Sequence, residues 1–130
     1  MERSREGTPS YTALVADDSE IIRRGVLRLL KGEPRIQVLG EATSFEETLQ
    51  LTLELKPQVV VLGLHMPDNG WFVPSVIKSI LSESAERIIA VSAWDHEKAI
   101  ALAKSYGATV LLTKDSLIES LIPAVLGSLK

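Results

Sequence analysis

Five short apolar runs alternate with five stretches of helical periodicity along this chain of 130 residues. The apolar runs predict β-strands over residues 12–16, 36–42, 58–62, 87–92 and 108–113. Strict alternation of strand and helix predicts a parallel sheet that is covered by helices on both faces. The third run is apolar almost throughout, which is typical of a strand buried on both of its faces.

Local signals place the helices between these strands. The first helix is predicted over residues 19–31, with Ser19 as its N-cap. Ser44 followed three residues later by Glu47 has the form of a capping box and begins the second helix. In that second helix, Leu49 and Leu53 are expected to face inward.

The later helices have weaker or interrupted patterns. A third helix begins near Pro74, which is tolerated because it falls in the first turn. A fourth is predicted over residues 95–105. Pro123 interrupts the last helix, where we expect it to remove one hydrogen bond and either kink the helix or shift its start. The stripe of that helix is expected to be mostly core, and any exposed part to be a partner face; it comprises Ile118, Leu121, Ile122, Val125, Leu126 and Leu129.

Composition excludes several classes of function. A net charge of −3 argues against broad electrostatic binding of nucleic acid, and the absence of cysteine excludes disulfides and thiolate chemistry. No apolar run approaches the roughly 20 residues that a membrane span needs. We expect a cytoplasmic protein with a disordered lead-in over residues 1–10 and one domain over residues 11–130.

Polar residues follow the predicted strands at the edge where such sheets place their binding sites. Asp17 and Asp18 follow the first strand, Ser92 ends the fourth, and Lys114 follows the fifth. Paired carboxylates suit Mg²⁺, and a lysine with a hydroxyl suits the oxygens of a phosphoryl group. The nucleophile of such a site is a carboxylate on the middle strand. Gly63 stands at that position.

These motifs resemble the receiver domain of bacterial two-component response regulators. Residues 14–19 resemble the acidic first-strand motif, and residues 57–67 resemble the third-strand motif, in which aspartate normally stands at Gly63. Residues 91–93 resemble the hydroxyl-bearing strand end, and residues 112–115 resemble the lysine motif. The resemblance implies a flavodoxin-like (βα)5 fold, a doubly wound parallel sheet with strand order 2-1-3-4-5 in three α/β/α layers.

Two further segments, residues 23–25 and 40–42, favour the subfamily whose outputs are LuxR/NarL-type helix-turn-helix domains. The resemblance therefore implies phosphorelay signal transduction and transcription regulation rather than an enzyme. It also implies that a DNA-binding domain could follow in a longer parent protein, with no direct nucleic-acid contact by this domain.

Three departures from the family pattern decide the predicted function. The phosphoacceptor is Gly63, the loop over residues 67–70 is one residue shorter, and Leu111 stands at the aromatic switch position. We therefore predict an atypical receiver that works without phosphorylation as an interaction or dimerisation module. In the family, the partner or homodimer face is formed by the fourth helix, fifth strand and fifth helix, which map to residues 95–106, 108–113 and 116–130.

Two alternatives stay open. The chain could be a phosphotransfer-competent receiver that uses another acceptor, with Asp68 the nearest candidate in sequence. The commoner role for an aspartate in such a turn is bonding to its own backbone. Alternatively, the chain could be the regulatory half of a helix-turn-helix transcription regulator.

For the acidic pocket, we expect no cofactor other than weakly bound Mg²⁺. Its ligands would be Asp17, Asp18 and the backbone carbonyl of His65. Lys114 is expected to form a structural ion pair with the two aspartates. Ser92 is expected to bond only to backbone.

Four aromatic residues near the strand-end loops complete the candidates. His96 has no evident partner in the sequence, and His65 is expected to be an exposed loop residue. Trp71 and Trp94 follow strand-end loops, so either could flank the mouth of the pocket or simply pack.

Overall fold

The computed structural model describes residues 11–94 and 96–127. The predicted lead-in over residues 1–10, the predicted first residue of the fourth helix, Asp95, and the predicted stripe residue Leu129 lie outside these ranges. The strands are β1 (Tyr11–Ala16), β2 (Ile36–Ala42), β3 (Val59–Gly63), β4 (Arg87–Ser92) and β5 (Val110–Thr113). The helices are α1 (Glu20–Lys31), α2 (Phe45–Leu55), α3 (Pro74–Ser84), α4 (Glu97–Ser105) and α5 (Leu117–Leu126), with a 3₁₀ turn (Lys114–Ser116) before α5.

The five strands form one parallel sheet in the order β2-β1-β3-β4-β5. This confirms the predicted flavodoxin-like fold. The central strand β3 pairs with β1 on one side and β4 on the other, so that Gly63 lies opposite Val91. The carboxyl ends of β1, β3 and β4 therefore meet at one edge of the sheet.

Strand β3 is buried on both faces, as its apolar composition predicts. Val60 and Leu62 belong to the core cluster under α2, α3 and α4, whereas Val59 and Val61 belong to the cluster under α1 and α5. Alternate side chains of a strand point to opposite faces, so a strand between two helical layers needs apolar residues at every position.

Of the two hydrogen bonds of the predicted capping box at the start of α2, only one is formed. Ser44 Oγ accepts a hydrogen bond from Glu47 N at 3.1 Å. The reciprocal bond goes elsewhere, because Glu47 Oε1 accepts from the backbone N of Thr43 at 2.8 Å. Glu47 thus fixes the chain entering the helix.

The prediction that Leu53 faces inward is wrong. Its side chain is 50% exposed, while Thr48 and Thr52 are buried. The hydroxyls of these threonines donate to the carbonyls of Ser44 and Thr48 at 2.6 and 2.7 Å, which satisfies them within the helix. Because their hydroxyls are hydrogen-bonded, the two threonines can lie on the buried face of α2. Leu53 lies beside that face.

Two predicted boundaries also move. Helix α4 begins at Glu97 and β5 begins at Val110, two residues later than the predicted positions in each case. Pro123 lies inside α5, whose start at Leu117 is six residues upstream, so the proline is accommodated within the helix. None of the helices in the described ranges is both long and apolar enough to cross a membrane.

Candidate functional site

The strand ends enclose a cavity of about 160 Å³ at the carboxyl edge of the sheet. Its polar lining comes from the carboxyl ends of β1, β3, β4 and β5 and comprises Asp17, Asp18, Ser19, His65, Ser92 and Lys114. Its apolar lining is Ile22, Leu64, Val91 and Ala93. The structure therefore brings the predicted acidic pair, hydroxyl and lysine to one site, since the ends of neighbouring parallel strands converge there.

The side chain of Asp17 occupies the space beside Gly63. A Cβ atom placed on Gly63 would lie 2.5 Å from Asp17 Oδ2, 2.8 Å from its Cγ and 3.3 Å from its Cα. These separations are too short for non-bonded carbon and oxygen atoms. Any side chain at position 63 therefore requires Asp17 to move.

Hydrogen bonds hold Asp17 in this position. Its Oδ1 accepts from Ser19 N at 2.9 Å, and Arg23 Nη1 donates to its backbone carbonyl at 3.0 Å. Burial raises the pKa of the Asp17 carboxyl, and the charge of Asp18 adds to the rise; the Ser19 amide, Arg23 and His65 oppose it. The carboxylate is thus ordered and partly desolvated.

The predicted ion pair of Lys114 with the aspartates is not formed. Among the residues that the structure describes, the ion pairs are Arg23–Glu41, Arg24–Glu20 and Arg35–Glu33. Lys114 begins the 3₁₀ turn after β5, is exposed, and lines the same cavity without forming a salt bridge to Asp17 or Asp18.

Ser92 ends β4 and is only 4% exposed. Its Oγ accepts a hydrogen bond from Trp94 N at 3.1 Å, which is the bond to backbone that the sequence predicts. Within the described part of the chain, no acceptor is bonded to the proton of this hydroxyl. Ser92 also lines the cavity.

The site fits Mg²⁺ poorly. Receiver domains hold this ion at the acceptor site with carboxylate ligands, and Mg²⁺ needs near-ideal octahedral oxygen coordination. Here Asp17 and Asp18 are the two carboxylates of the cavity, and Asp17 Oδ1 is already bonded to Ser19 N. No group of three or more histidine, cysteine, aspartate or glutamate side chains suited to a metal occurs within residues 11–94 and 96–127. The backbone carbonyl of His65 does not replace the missing charge.

Asp68 has a structural role that the sequence did not reveal. It is 6% exposed, and its two oxygens accept from the backbone N of Phe45 at 2.8 Å and of Glu46 at 2.9 Å. Asp68 thus caps α2 rather than bonding to its own turn, and it does not line the cavity. This geometry gives no support to Asp68 as a phosphoryl acceptor, because both oxygens are engaged and shielded.

The next residue ties the same loop to α4. Tyr106, at the end of α4, donates its hydroxyl proton to Asn69 Oδ1 at 3.2 Å. Its ring also lies 5.1 Å from that of Phe45 at the start of α2. Asp68 and Asn69 therefore anchor the loop after β3 to two helices at once.

An aromatic cluster lies beside the cavity. The exposed His65 contacts Trp94 edge-on at 5.4 Å between ring centroids, and Trp94 stacks on His96 at 6.0 Å. The expectation that His96 lacks a partner is wrong, since its Nδ1 accepts from Ala99 N at 3.3 Å and caps α4. Trp94 is 55% exposed and Trp71 is 77% exposed, so neither is buried in the core.

The switch position carries no ring. Leu111 lies in β5 opposite Ala90 of β4 and is half-buried against the core under α2, α3 and α4. A leucine there is held by packing and offers no hydroxyl or aromatic face to the cavity. Leu111 is also not among the residues that line it.

Comparisons with known proteins agree with this fold. Residues 13–126 match the response regulator receiver domain family. The chain is 34% identical over 115 residues to the nitrate/nitrite response regulator protein NarL of Escherichia coli (strain K12), covering 88% of this chain and 52% of that protein. The chain thus spans about half the length of this relative.

Two other similarities extend the comparison. Over 110 residues the chain is 36% identical to protein-glutamate methylesterase/protein-glutamine glutaminase 3 of Myxococcus xanthus, covering 82% of this chain and 30% of that protein. The signal receiver domain of a NarL response regulator from Mycobacterium tuberculosis superposes with a TM-score of 0.74 and 27% identity, covering 92% of this chain and 98% of that domain.

Proposed function

Because the chain belongs to the response regulator receiver domain family, we propose that it is a receiver-like signalling module whose state is not set by aspartyl phosphorylation. One observation carries the proposal: the carboxylate of Asp17 lies where the side chain of residue 63 would begin. Receiver domains are generally not enzymes, and this proposal includes no enzymatic activity.

Phosphoryl transfer to a receiver needs a carboxylate nucleophile and a metal ion that neutralises the incoming oxygens. Gly63 removes the nucleophile, and the remaining two carboxylates fit the metal poorly. Asp17 is not a ready substitute, because its Oδ1 is bonded to Ser19 N. The site therefore lacks the nucleophile for phosphoryl transfer and is poorly suited to the metal ion.

The elements that would transmit a signal from a filled site are also changed. The loop after β3 is anchored through Asp68 to Phe45 and Glu46, and through Asn69 to Tyr106. Leu111 cannot report the state of the site by rotating a ring. These contacts and the leucine at position 111 support the proposal that the module does not work as a phosphorylation switch.

The output of such a module is a protein contact. We place it on the α4–β5–α5 face, formed by α4, β5 and α5, as the family pattern implies. Ile118 on α5 is 80% exposed and Ile100 on α4 is 41% exposed. Exposed isoleucines on these two helices supply the apolar contacts that a partner or a second copy of the chain would bury.

A second candidate function is the regulatory half of a longer helix-turn-helix regulator. It is supported by the 34% identity to a NarL regulator over 52% of that protein. Sequencing the genomic reading frame tests it. A helix-turn-helix coding segment in the same frame supports this candidate, and a stop codon directly after Lys130 contradicts it.

The proposed function is tested with beryllofluoride and Mg²⁺, a mimic of the phosphorylated state. We expect the oligomeric state, measured by light scattering, and the tryptophan fluorescence to stay unchanged. The receiver domain of the Escherichia coli NarL protein, tested under the same conditions, is the control for an active mimic. A change in either property of this chain contradicts the proposal.

A further inference from the structure

We infer that the cavity between the strand ends is a binding site for a small zwitterion, a molecule with one ammonium and one carboxylate group a few bonds apart. The inference rests on the proposed function in one respect: the site is available because it is not used for phosphorylation. The proposed ligand carries both a positive and a negative charge, whereas a phosphoryl group carries negative charge alone.

The charges that line the cavity are of opposite sign and are not paired with each other. Asp17 and Asp18 lie on the loop after β1, and Lys114 follows β5. In the described residues, none of the salt bridges joins Lys114 to either aspartate. A ligand with an ammonium group next to the aspartates and a carboxylate next to Lys114 would pair with the site's negative and positive charges at the same time.

Ser92 supplies a second, independent indication of a ligand. The residue is 4% exposed, its Oγ accepts from Trp94 N, and it lines the cavity. Its hydroxyl proton has no acceptor in the described part of the chain. A ligand carboxylate held by Lys114 would accept this proton.

The size of the cavity limits the ligand. Its volume is about 160 Å³, close to that of an engineered cavity of about 150 Å³ that holds benzene. A ligand of about six non-hydrogen atoms therefore fits, which is the size of L-alanine or β-alanine. The apolar walls from Ile22, Leu64 and Val91 suit the carbon atoms between the two charged groups.

Simpler ions fit the site less well. An inorganic anion would lie in the field of Asp17 and Asp18, where like charges repel. A simple amine would neutralise the aspartates but leave the charge of Lys114 without a counter-ion in the cavity. A small molecule that carries both charges therefore fits this site better than an anion or an amine alone.

The first experiment is isothermal titration calorimetry of the full chain with L-alanine and with β-alanine. Methylammonium chloride and sodium acetate, which carry the same charges on separate molecules, are the matched controls. We expect saturable binding of at least one amino acid. Each separated half should bind about tenfold more weakly or worse, because it forms only one of the two charged contacts.

Variants then locate the binding site. Lys114→Gln and Asp18→Asn are expected to weaken binding by about tenfold to a hundredfold, because each removes one charged hydrogen bond. Both residues are exposed, so the variants should fold, which circular dichroism checks. Lys104→Gln and Asp115→Asn make the same changes at exposed positions that do not line the cavity, and they should bind as the natural chain does.

Three results would overturn the inference. The first is no saturable binding of either amino acid, and the second is binding of methylammonium or acetate as tight as that of the amino acids. The third is binding by the Lys114→Gln and Asp18→Asn variants as tight as that by the natural chain. The proposed function fails by a different measurement, since a phosphoryl adduct on the natural chain is detected by its mass. Failure of one is therefore distinguishable from failure of the other.

Discussion

Asp17 Oδ2 lies 2.5 Å from the point where a Cβ atom of residue 63 would stand. Gly63 and Asp17 therefore share one space that holds one side chain. A glycine is required at position 63 for as long as Asp17 keeps its bond to Ser19 N. The two positions should consequently be coupled in their effect on stability.

A double-mutant cycle measures this coupling. Gly63→Ala should lower the free energy of unfolding by about 1–2 kcal/mol, because the new methyl group displaces the Asp17 side chain. In the Asp17→Ala background the same substitution should cost less by about 1 kcal/mol. Urea unfolding of the four proteins gives the values, and additive effects would contradict the shared space.

Gly25→Ala is the matched control for that substitution. Gly25 lies inside α1, and a Cβ atom there meets nothing within 4 Å. Replacing a helical glycine by alanine should raise the free energy of unfolding by about 0.5–1 kcal/mol. The same change of residue is thus expected to have opposite signs at Gly25 and Gly63.

The raised pKa of Asp17 predicts a dependence of stability on pH. Burial, followed by the charge of Asp18, keeps the proton on the folded state at pH values where the unfolded chain releases it. The folded state then binds more protons, so this group reduces stability as pH rises through its folded pKa. Asp17→Asn should therefore gain stability relative to the natural chain as pH rises above 3.8, the ordinary pKa of an aspartate. A constant difference over this range, measured by urea unfolding, would contradict the raised pKa.

Asp68 should matter for stability rather than for chemistry. Asp68→Ala leaves the buried amides of Phe45 and Glu46 without their acceptor, which should cost about 2–3 kcal/mol of unfolding free energy. Asp115→Ala, at an exposed position, should change it by less than about 0.5 kcal/mol. If the two substitutions have equal effects, the capping role of Asp68 is wrong.

His96 should stabilise α4 through its imidazole acceptor. His96→Ala removes the bond from Ala99 N and should cost about 0.5–1 kcal/mol. His96→Asn keeps a side-chain acceptor at the cap and should restore most of this loss. Equal stability of the alanine and asparagine variants at neutral pH would show that the cap contributes nothing.

The fold follows from patterns that act over short distances. The apolar run of β3 and the alternation of strands with helices predict a parallel sheet that is covered on both faces. The strand order β2-β1-β3-β4-β5 is implied by the resemblance of the motifs to receiver domains. The convergence of Asp17, Ser92 and Lys114 follows from the same topology, since each stands at the carboxyl end of a strand.

The rest depends on side-chain contacts that are distant in sequence or set by a rotamer. Asp68 is separated from Phe45 by 23 residues, so no local pattern predicts that it caps α2. Thr52 shares the buried face of α2 with Phe45 and Leu49, and its hydroxyl bond to the Thr48 carbonyl satisfies it there, whereas Leu53 lies beside that face. The pairing of β1 with β3 places Asp17 next to Gly63, and the orientation of its side chain is held by the bond from Ser19 N, which the sequence does not specify.

The most direct test is the intact mass of the natural chain after incubation with acetyl phosphate and Mg²⁺. The receiver domain of the Escherichia coli NarL protein serves as the positive control under identical conditions. We predict that the natural chain gains no phosphoryl adduct, because Gly63 offers no nucleophile and both oxygens of Asp68 are bonded to backbone amides. A phosphoryl adduct on the natural chain would contradict the proposal that this receiver works without phosphorylation.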